Sequence, residues 1–258
     1  MFQNHQYGPQ LKILASPFLN GILAKLCSPQ TFQPEVNRLV HLLYTHLISA
    51  VIDHEFDKQK TTLPTRMTQT HPDQFLTTER VHPDQRVVCV NLARAGTYPS
   101  HVCYDFMHEA LPQDNIRQDH IFASRLVSSN DKIESTELSG YKIGGGIDKA
   151  FVLFPDPMGA TGTTIISSLD HYKKNVPGNP KKFIALHLIV TPEYLKRVTL
   201  AHPDLAIYAI RVDRGLSSAK ALDSEPGQFW NEEKGLNAKD YIVPGGGGFG
   251  EIMNNSFV

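Results

Sequence analysis

The stretch from Phe151 to Thr164, FVLFPDPMGATGTT, decides the fold of this chain. It begins with an apolar run typical of a buried strand and continues through a loop of small and hydroxyl-bearing residues. It ends where a helix is predicted over residues 163–174. The first backbone N–H groups of such a helix have no partner within the helix. These donors and the positive end of the helix dipole converge on the loop, which suits a phosphate group.

The side chains of this loop refine the prediction. Asp156 has the wrong charge for a phosphate, but its carboxylate can accept hydrogen bonds from ribose hydroxyls. Thr161, Thr163 and Thr164 add hydroxyl donors, so the pattern indicates a sugar phosphate. A plain strand-to-helix turn, in which the threonines only cap the helix, explains the same residues. The residues alone leave both interpretations open.

The rest of the chain favours an α/β fold. Three further apolar runs predict buried strands, and near-continuous apolar strands are typical of a parallel sheet covered on both faces. The runs are residues 87–92, 183–190 and 205–210, in addition to 150–154. Helices are predicted between them over 100–111, 163–174 and 192–201, the last opening with Pro192. Alternating strands and helices indicate a doubly wound sheet with its ligand beyond the carboxyl ends of the strands.

The remaining segments divide the chain into parts of a single domain. Residues 1–60 are predicted to be mostly helical, and residues 60–85 to form short strands and loops. The core sheet is expected within 86–216. Polar residues 217–240 are expected to form a long surface insertion, and residues 241–258 carry a glycine-rich loop.

Composition excludes several classes of function. The 258 residues are 41% hydrophobic and 20% charged, with a formal net charge of -1, so there is no overall charge bias for nucleic acid or an anionic membrane. No apolar run is long enough to span a membrane, and no signal peptide is expected. Neither the three cysteines nor the scattered histidines have the spacing of a metal site. These features predict a cytoplasmic protein with reduced thiols.

Four motifs together resemble one known family. DPMGATGTT, residues 156–164, is similar to the DPMLATGGS phosphoribosyl pyrophosphate loop of uracil phosphoribosyltransferases. LARAG at 92–96 resembles their LRAG, and VDRGL at 212–216 resembles their D-x-G-L. YIVPGGGGFGE at 241–251 resembles their C-terminal YIVPGLGDAGD. The similarity covers roughly residues 36–258 and implies a type I phosphoribosyltransferase fold with a C-terminal base-binding hood.

The resemblance implies roles for particular residues. Asp156 would hold the ribose hydroxyls and Arg94 the departing pyrophosphate, with Arg125 on a flexible arm and substrate-borne Mg²⁺ assisting. Glu134, Glu137 and Tyr141 keep the spacing of two glutamates and a tyrosine on that arm, whose return strand is expected to be replaced by glycine-rich 143–147. The phosphoribosyl pyrophosphate site would comprise Arg94, Arg125, Asp156, Pro157, Met158, Gly159, Ala160, Thr161, Gly162, Thr163 and Thr164. The uracil site would comprise Ile242, Gly247, Gly248 and Phe249, mainly through their backbone.

Two positions depart from the family pattern. Gly248 stands where the family has an aspartate that helps to hold the ribosyl diphosphate. Glu251 matches the second acidic position and is not expected to replace that aspartate directly, whereas the carboxylates of 217–240 are candidates to do so. Gly159 stands where the family usually has leucine, and it is expected to loosen the phosphate loop.

These observations predict a uracil phosphoribosyltransferase-like enzyme that makes UMP and pyrophosphate from uracil and phosphoribosyl pyrophosphate. The resemblance also implies a homodimer or higher homo-oligomer. Gly248 and the altered arm leave open a non-catalytic nucleotide-binding regulator. A backbone-lined base site leaves open a transferase for another base.

Overall fold

The computed structural model describes the backbone of residues 2–127 and 133–256, and their side chains except within 123–138. The strands are β1 (Leu11–Ile13), β2 (Lys58–Leu63), β3 (Leu76–Val81), β4 (Arg86–Ala93), β5 (Ile116–Val127), β6 (Ile133–Lys142), β7 (Ala150–Pro155), β8 (Met158–Gly159), β9 (Lys182–Val190) and β10 (Ala206–Val212). The helices are α1 (Pro17–Leu26), α2 (Glu35–Glu55), α3 (Thr97–Met107), α4 (Thr163–Asn175), α5 (Pro192–Ala201), α6 (Ala219–Leu222) and α7 (Phe249–Asn254).

A mainly parallel sheet forms the centre of the molecule. Its strand order is β1-β10-β9-β7-β4-β5-β6, and the short β8 pairs with β9. Only β6 runs antiparallel to its neighbour. Strands β2 and β3 form a separate antiparallel ribbon. The predicted doubly wound α/β architecture is therefore confirmed.

Alternate residues of the central strands fill two hydrophobic cores, one on each face of the sheet. In β7, for example, Phe151 and Leu153 face the core shared with α1, α2 and α3, whereas Val152 and Phe154 face the core shared with α4 and α5. This two-sided burial explains the near-continuous apolar runs of the sequence. Because β4 and β7 are parallel neighbours, the loops that follow them lie at the same edge of the sheet.

The predicted core elements are confirmed with small changes of boundary. All four apolar runs are strands, and the helix predicted over 192–201 has those same limits. Thr191 caps it by accepting a hydrogen bond from the backbone N–H of Tyr194 at 3.0 Å, and Pro192 occupies the first turn. The helix predicted over 100–111 instead begins at Thr97 and ends at Met107.

The sequence did not predict four strands of the sheet, β1, β5, β6 and the two-residue β8. β1 interrupts the helical first 60 residues, because Leu11 and Ile13 pack against the edge of β10. β5 was missed because Ile116 is followed by four polar residues, 117–120, rather than by an apolar run. Its partner β6 is the return strand that glycine-rich 143–147 was expected to replace, so that expectation was wrong. The glycines instead form a turn bound by Arg117, which donates to the carbonyls of Gly145 and Gly146 at 3.1 Å.

Residues 217–240 are anchored to the body of the protein, although they were expected to form a surface insertion. The carboxylate of Glu233 is buried and accepts hydrogen bonds from Arg214 at 2.9 Å, from the backbone of Gly227 at 3.0 Å and from the Tyr7 hydroxyl. Trp230 donates to the carbonyl of Pro192 at 3.0 Å. The expectation missed this packing because the polar residues find their partners in distant segments.

No helix within the described parts of the chain is long and apolar enough to cross a membrane.

Candidate functional site

A cleft of about 600 Å³ opens where β4 and β7 end. Four segments and one helix contribute to it, and most of the predicted site residues lie here. The described lining comprises Leu92, Ala93, Arg94, Ala95, Asp156, Met158, Ala160, Thr161, Gly162, Thr163, Thr164, Ile165, Tyr194, Lys239, Asp240, Tyr241, Ile242, Gly247, Gly248, Phe249, Gly250 and Glu251. Neither Pro157 nor Gly159 is among these lining residues. The side chain of Arg125 lies outside the described residues, as do those of Glu134 and Glu137.

The phosphate loop between β7 and α4 is tied to β9 along its length. The carbonyl of Pro157 accepts from the backbone of Leu188 at 3.0 Å, and that of Gly159 accepts from Thr191 at 3.0 Å. The Thr191 hydroxyl donates to the carbonyl of Ala160 at 2.7 Å. The loop backbone is thus fixed before any ligand binds, which favours preorganised binding.

At the end of this loop, α4 begins at Thr163 and presents its first backbone N–H groups to the cleft. The hydroxyls of Thr161 and Thr163 are 3.1 Å apart. Arg197, on α5, donates to the Thr163 hydroxyl at 2.9 Å and approaches the carbonyl of Thr161 at 3.5 Å. Either of these two hydroxyls can donate to the other, and Arg197 adds a charged donor beside the pair. This chain of donors suits an anion at the helix N-terminus.

Two glycines let the phosphate loop pack closely on α5. A Cβ on Gly159 would lie 2.8 Å from Val190 Cγ1 and 3.2 Å from the Tyr194 ring. Gly162 has a φ of +79°, and a Cβ there would lie 2.5 Å from Val198 Cγ2. The ring of Tyr194 therefore takes the space of a larger residue at 159. The expectation that Gly159 loosens the loop was wrong, because that residue is buried and paired with β9.

Asp156 directly follows β7, and its backbone carbonyl is hydrogen-bonded to a buried pair of polar side chains, His187 and Tyr194. His187 donates from Nδ1 to the Asp156 carbonyl at 2.6 Å, so its Nε2 accepts from the Tyr194 hydroxyl, also at 2.6 Å. Burial lowers the pKa of His187 to about 4 and keeps the ring neutral. Burial also raises the pKa of Tyr194, and the nearby Asp156 carboxylate adds to that effect. These two hydrogen bonds fix the backbone at the end of β7, and Asp156 lines the cleft from that position.

Arg94 follows β4 and enters the same cleft. Its Nη1 donates to the carbonyl and the hydroxyl of Ser256, both at 3.3 Å. Its Nη2 lies 3.7 Å from Oε1 of Glu251. The Arg94 side chain is 44% exposed, so an entering anion can reach the guanidinium.

The C-terminal glycine-rich loop forms the opposite wall. Asp213, held by Arg211, accepts from the backbone of Gly245 at 2.8 Å, and the carbonyl of Val243 accepts from Gly215 at 2.9 Å. These contacts fix the path of the loop across the mouth of the cleft. Phe249 is only 4% exposed and packs into the core, so it offers the cleft mainly its backbone.

Gly248 does not need to be glycine for its backbone conformation, because its φ is -77°. A Cβ built there would instead collide with Oε2 of Glu251. Within the described residues, the cleft lining includes none of Asp223, Glu225, Glu232 and Glu233, whereas Asp240 at the end of the same 217–240 segment does line it.

Sequence reasoning missed several residues of this site. Lys239 and Asp240 line the cleft and directly precede the motif at 241–251, so their position next to that motif could have indicated them. Tyr194 and Arg197 lie on α5, and no local pattern connects that helix to the phosphate loop. Only the packing of α5 beside α4 brings them there.

Comparison with known proteins places this cleft in a family. A sequence model of uracil phosphoribosyltransferases matches residues 13–229, which contain both Arg94 and the Asp156 loop. The chain belongs to the uracil phosphoribosyltransferase family. The matched range ends before the glycine-rich loop at 241–251. Membership and the mainly parallel sheet confirm the type I phosphoribosyltransferase fold.

Individual relatives are distant. A uracil phosphoribosyltransferase of Thermosipho melanesiensis is 30% identical over 170 residues, 66% of each chain. One of Thermococcus sibiricus is 33% identical over 100 residues, which are 39% of this chain and 34% of the relative. The match therefore spans about a third of the Thermococcus protein. The solved structure of the AQ2163 protein from Aquifex aeolicus shares the fold, with a TM-score of 0.69 at 18% identity, covering 94% of this chain and 97% of that one.

Proposed function

We propose that the chain transfers the 5-phosphoribosyl group from phosphoribosyl pyrophosphate to uracil, giving UMP and pyrophosphate. The observation that supports this most is that a phosphate cradle, a ribose-binding carboxylate, an arginine and a main-chain loop face one another across one cleft. Each corresponds to one part of the two substrates. The family relationship supports the same assignment.

Each group of the cleft would bind a different part of phosphoribosyl pyrophosphate. The N-terminus of α4 and the hydroxyls of Thr161 and Thr163 would bind the 5′-phosphate, with Arg197 adding positive charge behind them. Asp156 would accept hydrogen bonds from the ribose hydroxyls. Arg94 would bind the diphosphate after leaving Ser256 and Glu251.

The reaction forms a bond between uracil N1 and C1′ and breaks the bond between C1′ and the diphosphate oxygen. The electron pair of the broken bond leaves with pyrophosphate, and the N1 proton passes to water. Charge builds up on the diphosphate as it departs, so Arg94 stabilises the transition state more than the ground state. The fixed phosphate and ribose contacts align C1′ with the base, which lowers the entropic part of the barrier.

The backbone N–H and C=O groups near Ile242 and Gly247 would form hydrogen bonds with the base. A planar pyrimidine with alternating donors and acceptors can pair with such backbone groups when glycines allow close approach. Lys239 and Asp240 stand beside these backbone groups and add side-chain contacts.

Magnesium would arrive with the substrate. No group of three metal-ligating side chains occurs among the described residues, but the cleft holds the carboxylates of Asp156, Asp240 and Glu251. One or two carboxylates together with substrate phosphates are a usual environment for Mg²⁺, so the donor set fits. Bound Mg²⁺ would neutralise charge on the departing diphosphate.

An activity assay tests this proposal directly. Purified chain with uracil, phosphoribosyl pyrophosphate and Mg²⁺ should yield UMP and pyrophosphate, detected by chromatography, and other bases run in parallel define the base preference. Activity with a different base only would show a transferase of another specificity.

A second candidate is a nucleotide-binding regulator without turnover. The contacts of Arg94 with Ser256 and Glu251 favour it, because they occupy the arginine that catalysis requires. UMP binding by calorimetry with no turnover on any base would support this candidate. The homodimer or higher homo-oligomer implied by the family resemblance stays a prediction, which light scattering in solution tests.

A further inference from the structure

We propose that Glu251 supplies, from the first turn of α7, the carboxylate that the family carries at position 248. This inference rests on the proposed function and concerns its ribosyl diphosphate end. The missing aspartate would then be a relocated carboxylate rather than a lost one.

The first argument is steric. Gly248 has φ -77° and ψ 86°, which an L-residue can adopt, so backbone strain does not require glycine there. A Cβ on Gly248 would collide with Oε2 of Glu251 and lie 3.1 Å from its Cδ. The carboxylate of Glu251 therefore fills the volume that a side chain at position 248 would enter. The carboxylate ends a flexible side chain that is 30% exposed, so it can shift, but its place beside Gly248 is the place that an aspartate there would take.

The second argument is electrostatic. Glu251 lines the cleft with its side chain 30% exposed, and its Oε1 lies 3.7 Å from Nη2 of Arg94. Arg94 is the arginine placed to receive the diphosphate. The carboxylate thus lies beside the arginine that is proposed to bind the diphosphate.

The carboxylate of Glu251 should determine whether phosphoribosyl pyrophosphate binds with or without a divalent cation. It repels a metal-free diphosphate, whereas it attracts a diphosphate that carries a divalent cation. Mg²⁺ is commonly held by one or two carboxylates together with substrate phosphates. Glu251 therefore makes binding of phosphoribosyl pyrophosphate depend on Mg²⁺.

Calorimetry without a base tests this dependence. The dissociation constant of phosphoribosyl pyrophosphate is measured with Mg²⁺ and with a chelator, for the wild type and for Glu251→Gln, which keeps the shape and removes the charge. We expect metal-free ligand to bind the variant more tightly and Mg²⁺-loaded ligand less tightly. The strengthening by Mg²⁺ should fall by about tenfold or more, as expected for loss of one charged contact. Glu232→Gln, an exposed carboxylate of the 217–240 segment, is the matched control.

A positional exchange tests the relocation. Gly248→Asp alone should lower turnover, because it places a second negative charge beside Glu251, and Glu251→Ala alone should lower it by roughly a hundredfold. The double variant Gly248→Asp/Glu251→Ala should recover most of that loss, because the new carboxylate enters the vacated space. Thermal melting of each variant shows that it is folded.

The outcomes separate the two proposals. Wild-type protein that neither binds phosphoribosyl pyrophosphate nor turns over any base overturns the proposed function. Binding or turnover in the wild type with an unchanged Mg²⁺ dependence in Glu251→Gln overturns the inference about Glu251 alone. A double variant no better than Glu251→Ala overturns the relocation.

Discussion

Arg94 and Arg197 should affect the ligands of the cleft in different ways, because the proposed function assigns them to opposite ends of the phosphoribosyl group. Arg94 is proposed to bind the diphosphate, which phosphoribosyl pyrophosphate has and UMP lacks. Arg197 contacts the threonines of the 5′-phosphate cradle, and both ligands have that phosphate. Arg94→Gln should therefore weaken phosphoribosyl pyrophosphate binding selectively, whereas Arg197→Gln should weaken both ligands equally.

The structure sets the size of the Arg94 effect. A hydrogen-bonded contact between charged groups contributes about 1.5–3 kcal/mol. Arg94 must first leave Ser256, whose two contacts are 3.3 Å long, and the half-exposed pair with Glu251 at 3.7 Å. Contacts of this length and exposure together offset about 1 kcal/mol. The net loss for Arg94→Gln is about 0.5–2 kcal/mol, or roughly 2–30-fold in affinity.

The loss for Arg197→Gln should be of similar size but shared by both ligands. Arg197 acts through its 2.9 Å bond to the Thr163 hydroxyl, so about 1 kcal/mol, or roughly fivefold, is expected for each ligand. Isothermal titration calorimetry with both ligands gives the dissociation constants of the wild type and the two variants. Lys220→Gln, on exposed α6 outside the described cleft lining, is a control for the general loss of one positive charge.

Equal weakening of both ligands by Arg94→Gln would remove Arg94 from the diphosphate role. A selective effect of Arg197→Gln on phosphoribosyl pyrophosphate would show that the cradle at α4 does not hold the 5′-phosphate. Either result would refute the assignment of the two ends of the cleft.

Three further predictions concern the loop and its support. Gly159→Leu, which introduces the residue usual in the family, should destabilise the protein by about 1–3 kcal/mol and lower Tm by roughly 2–12 °C, because the side chain would clash with Val190 and Tyr194; an unchanged Tm by calorimetry would contradict the packing. Asp156→Asn should weaken UMP by about tenfold in titrations but leave inorganic phosphate unaffected, because only UMP carries ribose hydroxyls; equal effects on both would argue against ribose binding. The pKa of His187 is lowered in the folded state, so the unfolded state binds its proton first, and stability should fall by up to roughly 3 kcal/mol as pH drops from 6.5 to 4. Denaturant unfolding of His187→Gln should show a weaker dependence over that range, and an unchanged slope would assign the effect to other groups.

The local elements around the cleft could be predicted because their signals lie within single segments. The apolar run 150–154 could only be buried on both faces of a sheet, and Pro192 marks the start of α5. The loop after Phe154 combines a carboxylate with threonines before a helix, so its place at a strand end followed from the sequence. β5 could not be found in this way, because its first half is polar and lacks the apolar run that marks a buried strand. Arg117 and Asp119 are accommodated there because they pair with each other within the strand.

The sequence by itself therefore determined the four central strands β4, β7, β9 and β10, the helices between them and the loops that end at one edge of the sheet. These depend on burial, helix capping and chain direction, which a short segment encodes. Only the tertiary structure decided that Arg197 reaches Thr163, and that Glu251 stands where a side chain at Gly248 would be. It also decided that Glu233 is buried with Tyr7 rather than available to the cleft. Such distances depend on how elements far apart in the chain pack together, and no local pattern of residues specifies that packing.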